Sequence, residues 1–363
     1  MKTNALPRAA VLAAAACLAT IALLMAWPGV SARAAQGSAL VQQVPVSFTV
    51  SNTNTSRVPC LTDGRTYTIA GTLFLPAGPM PQGVTLYAHG LGFAAYFWDF
   101  TAVPGYDYAL YEADAGHASV VVDRLGYGVS GKPQGLLSCI GGQASVLHQV
   151  VQDLRHGRYR AGGAGAPAFS RVGLVGHSAG GELTEVEAES FHDVNAIGVM
   201  DWADQFFSPL AYTSFAVDGA GCALGGTAQG PGGPGGYNDF GATPADYDQV
   251  MFNAASNPAV VAAATAMRTK DPCGDILSIL TGTAIDLVGG VQSINVPIAY
   301  VWGAQDALFL DALPWAGLQE ALYLGSPRVT NIELPDSGHA VTLGPDSTML
   351  ERSMNGWLKS NGL

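Results

Sequence analysis

The chain has 363 residues, 48% hydrophobic and only 12% charged, with 16 basic against 28 acidic side chains and a formal net charge of −12. No basic cluster offsets that acidic balance, which argues against nucleic acid or an anionic membrane surface as a partner. The length suits one large α/β domain carrying an insertion, and no internal repeat or long low-complexity tail interrupts it.

Residues 1–35 read as a secretory signal peptide. Lys2 and Arg8 make a basic start, residues 11–27 are almost wholly apolar, and Ala32-Arg33-Ala34 offers a small-residue cleavage site. The alternative is an N-terminal membrane anchor, because the apolar run approaches spanning length. The Pro28-Gly29 break and the cleavage-like ending favour the signal. A lipid attachment at Cys17 fits less well, since the apolar run continues past it. The segment holds three of the basic residues and no acidic one, so the remainder carries 13 basic and 28 acidic side chains, a net of −15.

Four cysteines lie beyond the segment: Cys60, Cys139, Cys222 and Cys273. An even count in an exported chain suggests two disulfides, and three pairings are open. Cys60–Cys139 with Cys222–Cys273 is the favoured set. The first would tie the N-terminal strands to the main body, and the second would close a glycine-rich insertion on itself. Four free buried thiols are the alternative, and the spacing resembles no zinc site.

Residues 44–50 and 67–75 alternate apolar and polar side chains, which predicts an antiparallel strand start. Residues 83–88 form a buried strand ending in His89-Gly90-Leu91-Gly92, and 118–122 another ending in Asp123-Arg124-Leu125-Gly126-Tyr127-Gly128. Helical spacing covers 143–154. An apolar strand, 172–175, then runs into Gly176-His177-Ser178-Ala179-Gly180, and a helix follows to about 191. Residues 196–200 are the next strand.

Periodicity weakens from 203 to 293. Residues 219–241 are rich in glycine and proline and read as loop, with short helices at 245–255 and 258–267. A strand at 297–302, a helix at 312–323, a last strand at 329–334 and a closing helix complete the chain. Strands alternating with helices imply a mostly parallel sheet covered on both faces. Functional residues of such sheets gather at the carboxyl ends of strands.

The pentapeptide around Ser178 has the G-x-S-x-G form of a tight strand-to-helix turn that exposes a serine hydroxyl. Such a hydroxyl is a poor nucleophile until a base and an oxyanion site are placed beside it. His339, in Asp336-Ser337-Gly338-His339-Ala340 after the last strand, is the candidate base. Asp306, in Gly303-Ala304-Gln305-Asp306, is the favoured acid. Asp311, one turn later, and Asp201, after the strand that follows the nucleophile, are the alternative acids. The oxyanion site would use the backbone N–H groups of Ala179 and Leu91. His89 is read as a loop-stabilising side chain, and His177 is assigned no chemistry.

With these pieces the chain resembles the α/β-hydrolase superfamily over about residues 65–205 and 295–360. The resemblance implies an α/β-hydrolase fold: an eight-stranded, mostly parallel sheet with helices on both faces and a cap after the sixth strand. The core would be 36–202 and 294–363, and the cap 203–293. Asp123 and Arg124 would shape a loop beside the site. The cap departs from many relatives, being glycine-rich where they carry a compact helical lid.

The expected activity is that of a secreted serine esterase working through Ser178, His339 and Asp306 and an acyl-enzyme, with no cofactor or metal required. The expected partner is a small-molecule ester or amide with an apolar part, and no stable membrane partner is expected after signal cleavage. Phe93, Tyr96, Phe97, Trp98, Trp202, Phe206 and Phe207 line an apolar pocket or belong to the core. One alternative is a serine aminopeptidase or amidase, with Glu182 and Asp204 binding an amine. Another is a catalytically silent binding protein on the same fold.

Overall fold

The computed structural model describes residues 41–162, 165–205, 207–309 and 315–363. The signal-peptide reading of 1–35, Phe206 and Asp311 lie outside the described residues.

The chain opens with β1 (Gln42–Ser51) and β2 (Thr66–Leu75), an antiparallel pair whose register runs from Gln42 opposite Leu75 to Ser51 opposite Thr66. Then follow β3 (Gly83–Ala88), α1 (Tyr108–Asp114), β4 (Ser119–Val122), α2 (Ile140–His156) and the two-residue β5 (Arg160–Ala161). The centre is β6 (Arg171–His177), α3 (Ala179–Phe191) and β7 (Ala196–Met200). After the insertion come β10 (Ile298–Gly303), α8 (Trp315–Glu320), β11 (Val329–Leu334) and α9 (Ser347–Ser360).

The strands form one sheet in the order β11-β10-β7-β6-β3-β4-β2-β1-β5. From β11 to β4 every pairing is parallel, while β2 pairs β4 and β1 pairs β2 antiparallel. Every residue of β3, β4, β7 and β10 is buried, which is why those strands read as apolar runs without alternation. The sheet has nine strands where eight were expected. The extra one is β5, which adds only Ala161 and Arg160 against Val46 and Ser47; so short a segment has no period to read.

Chain order reverses beside β3, which has β4 on one side and β6 on the other. That reversal opens a crevice at the carboxyl ends of β3 and β6. Ser178 and the Gly90-Leu91 loop both sit there.

Residues 203–293 are more helical than their composition implied. They hold α4 (Pro209–Ala223), a short antiparallel pair β8 (Tyr237–Asn238) and β9 (Asp271–Pro272), α5 (Pro244–Met251), α6 (Pro258–Met267) and α7 (Cys273–Ile285). Their starts are well marked. Ser208 accepts the Ala211 N–H at 3.0 Å ahead of Pro209, Thr243 and Asp246 form a capping box, and Asn257 accepts the Ala259 N–H ahead of Pro258. The expectation of loop over 219–241 is therefore corrected at its start: α4 runs through Gly219 and Gly221. Gly221 packs against the Asn238 side chain, where a Cβ would come within 3.0 Å of Oδ1.

The structure joins Cys60 to Cys139, with Cα atoms 6.2 Å apart, and Cys222 to Cys273, with Cα atoms 5.2 Å apart. The first ties the β1–β2 connection to the start of α2. The second ties α4 to α7 inside the insertion.

Candidate active site

Ser178 stands between the last residue of β6 and the first of α3, with φ 54° and ψ −127°. A non-glycine residue in that region costs on the order of 1–3 kcal/mol and persists only when its surroundings impose it. They do so here. The Ser178 N–H donates to the Met200 carbonyl of β7 at 2.8 Å, and the Gly181 N–H donates to the Ser178 carbonyl at 2.6 Å. A Cβ on Gly176 would overlap the Gly180 carbonyl oxygen, and one on Gly180 would overlap the Ala88 carbonyl oxygen of β3. The elbow therefore needs both glycines, one against the helix and one against the neighbouring strand.

His339 lies beyond β11 in a loop held by Asp346, whose Oδ2 accepts the Asp336 N–H at 2.7 Å and the Ser337 hydroxyl at 3.1 Å. Its Nδ1 is 2.7 Å from Asp306 Oδ2, with both side chains buried. The other Asp306 oxygen accepts the N–H groups of Leu308 and Phe309 at 2.7 and 3.3 Å. An Nδ1–H donated to Asp306 leaves the lone pair on Nε2. That atom is buried and has no hydrogen-bond partner among the described residues.

Asp201 lies in the same neighbourhood, with one carboxylate oxygen within 4.8 Å of ligand atoms of Asp306 and His339. Its Oδ1 accepts the Gly303 N–H at 2.8 Å, which joins the ends of β7 and β10. The hydrogen bond to the imidazole is made by Asp306. Asp311 is not among the described residues.

The backbone of Gly90 lies against Ser178: a Cβ there would come 2.7 Å from Ser178 Cβ. Among the described residues neither the Leu91 nor the Ala179 N–H donates to another group; the first N–H groups of a helix have no partner within it. Next to Leu91, the Gly92 N–H donates to Asp271 Oδ1 at 2.7 Å, and the other Asp271 oxygen accepts the Phe240 N–H at 3.1 Å. Burial pushes the Asp271 carboxyl up to about 8, against the pull of those two N–H groups and Arg124.

His89 and His177 prop the site. His89 Nδ1 is 2.9 Å from the Gly90 carbonyl, and its Nε2 accepts the Arg124 N–H at 3.2 Å. One neutral tautomer satisfies both contacts. Burial, and then the Arg124 charge, hold the ring well below the usual histidine range. His177 Nε2 is 2.8 Å from the His339 carbonyl, and its ring stacks on Phe97 with centroids 4.1 Å apart. Burial, then the His339 charge, push it well down too. His177 thus supports the backbone of His339.

Asp123 closes the loop after β4. One oxygen accepts the Ala95 N–H at 2.9 Å and the other the Val129 N–H at 2.8 Å. Arg124 is buried and points at the insertion, with Nη1 3.0 Å from Asp275 Oδ2 of α7 and the guanidinium 4.4 Å from the Tyr127 ring centre. Of the aromatic candidates, Phe93, Phe97 and Trp98 are fully buried, and Trp98 packs on Tyr87 and Tyr108 of the core. Trp202 and Phe207 instead flank Phe309, with centroids 5.3 and 5.4 Å away, and Phe309 stacks on His339 at 5.7 Å.

The sequence profile of the alpha/beta hydrolase family matches residues 86–349, well over half of the chain and both stretches that hold the site. The chain belongs to the alpha/beta hydrolase family. No curated protein sequence matches it. Among solved structures, this hydrolase is similar to a soluble variant of monoglyceride lipase from Saccharomyces cerevisiae, with TM-score 0.61 and 14% identity over 85% of this chain and 96% of that one. It is also similar to a thermophilic esterase from Thermogutta terrifontis, with TM-score 0.59 and 16% identity over 87% of this chain and 100% of that one. An enol-lactonase from Burkholderia xenovorans gives TM-score 0.58 and 16% identity over 81% and 97%. At these identities the likeness is one of fold.

Three features of the hydrolase escaped sequence reasoning. Asp271 and Asp275 of the insertion hold the loops after β3 and β4, but single aspartates in a glycine-rich stretch carry no pattern. Phe309 follows Asp306 by three residues, and that spacing was the available hint. The acidic run of α3 looks solvent-facing, yet Glu182, Glu185, Glu187 and Glu189 are all buried.

Proposed function

We propose that this hydrolase is a secreted serine esterase, with Ser178 as nucleophile, His339 as general base and acid, and Asp306 as the group that orients His339. The observation that carries this reading is the 2.7 Å contact between His339 Nδ1 and Asp306 Oδ2, beside an imidazole Nε2 with no partner among the described residues. The strained turn at Ser178 and the N–H groups of Leu91 and Ala179, which donate to no other group among the described residues, support it.

In this reading His339 Nε2 takes the Ser178 proton as Oγ attacks the ester carbonyl. The carbonyl oxygen becomes an oxyanion between the Leu91 and Ala179 N–H groups, where fixed dipoles in a water-poor site are worth several kcal/mol. The imidazolium is stabilised by Asp306 and returns the proton to the leaving alcohol. Water then enters, loses its proton to His339 and attacks the acyl-enzyme, and collapse of the second intermediate frees the acid and Ser178. The aromatic group of Trp202, Phe207 and Phe309 beside His339 suits an apolar part of the ester. The two disulfides accord with export.

Nothing favours the aminopeptidase reading. Glu182 and Asp204 are buried, and both Asp204 oxygens accept internal hydrogen bonds, from Trp202 and Gln319. Hydrolysis of p-nitrophenyl esters of graded chain length beside aminoacyl-anilides tests the assignment. Ester turnover in excess supports it, and anilide turnover alone would replace it with the amidase reading.

A further inference from the structure

We propose that this hydrolase binds a divalent cation of the calcium class between Glu185, Asp204 and Asp286, away from the proposed triad. These residues come from three segments: Glu185 from α3, Asp204 from the loop after β7, and Asp286 from the turn that follows α7. Each offers one carboxylate oxygen, and the three oxygens all lie within 4.8 Å of one another. Two oxygens bound to one calcium ion at its usual ligand distance lie at most about 4.6–5.2 Å apart, so a single ion can bridge them. An all-carboxylate donor set selects hard cations over zinc or copper.

A second observation separates this cluster from an ordinary acidic patch. Asp286 is fully buried, and among the described residues no N–H or hydroxyl group donates to either of its oxygens; its side-chain contacts are with the carboxyl groups of Asp204 and Glu189. Glu185 Oε2 likewise receives no such donor among the described residues, although Oε1 accepts the Tyr323 hydroxyl at 2.5 Å. The donors present are neutral: Tyr323 to Glu185, and Gln319 and Trp202 to Asp204 at 2.8 and 3.2 Å. They orient the carboxylates without balancing their charge.

The main charges facing Asp286 are Asp204, Glu185, Glu189 and Glu182, all acidic. Arg57 acts on Glu189 and Arg124 on Glu182, at the margins of the group. Buried like charges of this kind need either protons or a counter-ion. The surrounding backbone also leaves room for carboxylates: a Cβ on Gly290 would overlap Glu189, and one on Gly282 would overlap Glu182. A bound ion would clasp the end of the insertion to the helix that begins at Ser178.

The rival is proton sharing, with a neutral Asp286 donating to its neighbours. The test strips the purified full-length protein with EDTA, dialyses it against calcium chloride at pH 8, and measures retained calcium and thermal unfolding. The expected result is about one calcium per chain and a Tm roughly 5 °C or more above the EDTA value, as for a ligand well above its Kd. Both effects should vanish in Asp286→Asn and Glu185→Gln. No retained calcium and an unchanged Tm in the wild-type protein would overturn the proposal. So would calcium retained undiminished in both variants, which would place the ion elsewhere.

Discussion

Asp271, inside the insertion, accepts the Gly92 N–H at 2.7 Å and so fixes the backbone immediately after Leu91. Its second oxygen accepts the Phe240 N–H. Asn at 271 can accept only one of these bonds and turns an amide donor toward the other N–H. Asp271→Asn should therefore loosen the loop that carries the proposed oxyanion donor, the Leu91 N–H, lowering kcat about 10–100-fold with a smaller change in KM, since one misplaced oxyanion donor costs about 10²–10³. Steady-state kinetics on a p-nitrophenyl ester checks this, with circular dichroism to confirm folding. An unchanged kcat would separate Asp271 from the oxyanion loop.

Asp306 and Asp201 sit side by side but make different hydrogen bonds, Asp306 to His339 Nδ1 and Asp201 to the Gly303 N–H. Asp306→Asn removes the acceptor that holds His339 Nδ1–H and should lower kcat by about 10³–10⁴. Asp201→Asn leaves that bond intact and keeps a carbonyl oxygen for the Gly303 N–H, so its rate should fall much less. The reverse order of the two rates would transfer the orienting role to Asp201.

Cys222–Cys273 closes a 51-residue separation within the insertion. On the chain-entropy account its removal costs about 4 kcal/mol. A Cys222→Ser, Cys273→Ser double variant should unfold roughly 5–8 °C lower, on the usual conversion for a chain of this size. Differential scanning calorimetry measures the shift, and peptide mapping without reductant checks both pairings.

Burial pushes the Glu112 carboxyl of α1 from 4.5 up to about 8, with Glu351 adding to the effect. Between those values the native chain keeps a proton that the unfolded chain has released. Stability from this group therefore falls as pH rises from about 4.5 and is lost above about 8. Glu112→Gln, which cannot ionise, should be more stable than wild type at pH 9 by about 1–3 kcal/mol. At pH 5 it should lie close to wild type. Denaturant unfolding at the two pH values tests the difference, and equal effects at both would place the cost of Glu112 outside its ionisation.

The parallel core was legible because its physics is local. Residues 83–88, 196–200 and 297–302 are apolar runs because both faces of those strands are covered, and Gly176 and Gly180 are needed for backbone clearance that any side chain would violate. Ser178, Asp306 and His339 were readable as candidates because each follows the carboxyl end of a parallel strand, β6, β10 and β11. The insertion was less legible. Helix α4 carries Gly219 and Gly221, which lower helix propensity, and tertiary packing against β8 and α7 outweighs that preference. The buried face of α3 had no sequence signal for another reason: four glutamates in a helix normally mark water. Here Glu182, Glu185 and Glu189 face a carboxylate cluster with Asp204 and Asp286, which are distant in sequence, while Glu187 faces Asp193.

The central claim is that Ser178 is the activated nucleophile. Incubation with a fluorophosphonate probe and peptide mass spectrometry tests it most directly. One adduct per chain is expected on Ser178, abolished by denaturation beforehand and strongly reduced in His339→Ala. Ester hydrolysis should be lost in Ser178→Ala with its unfolding curve close to wild type. A folded, ester-cleaving protein left unlabelled at Ser178 would contradict it.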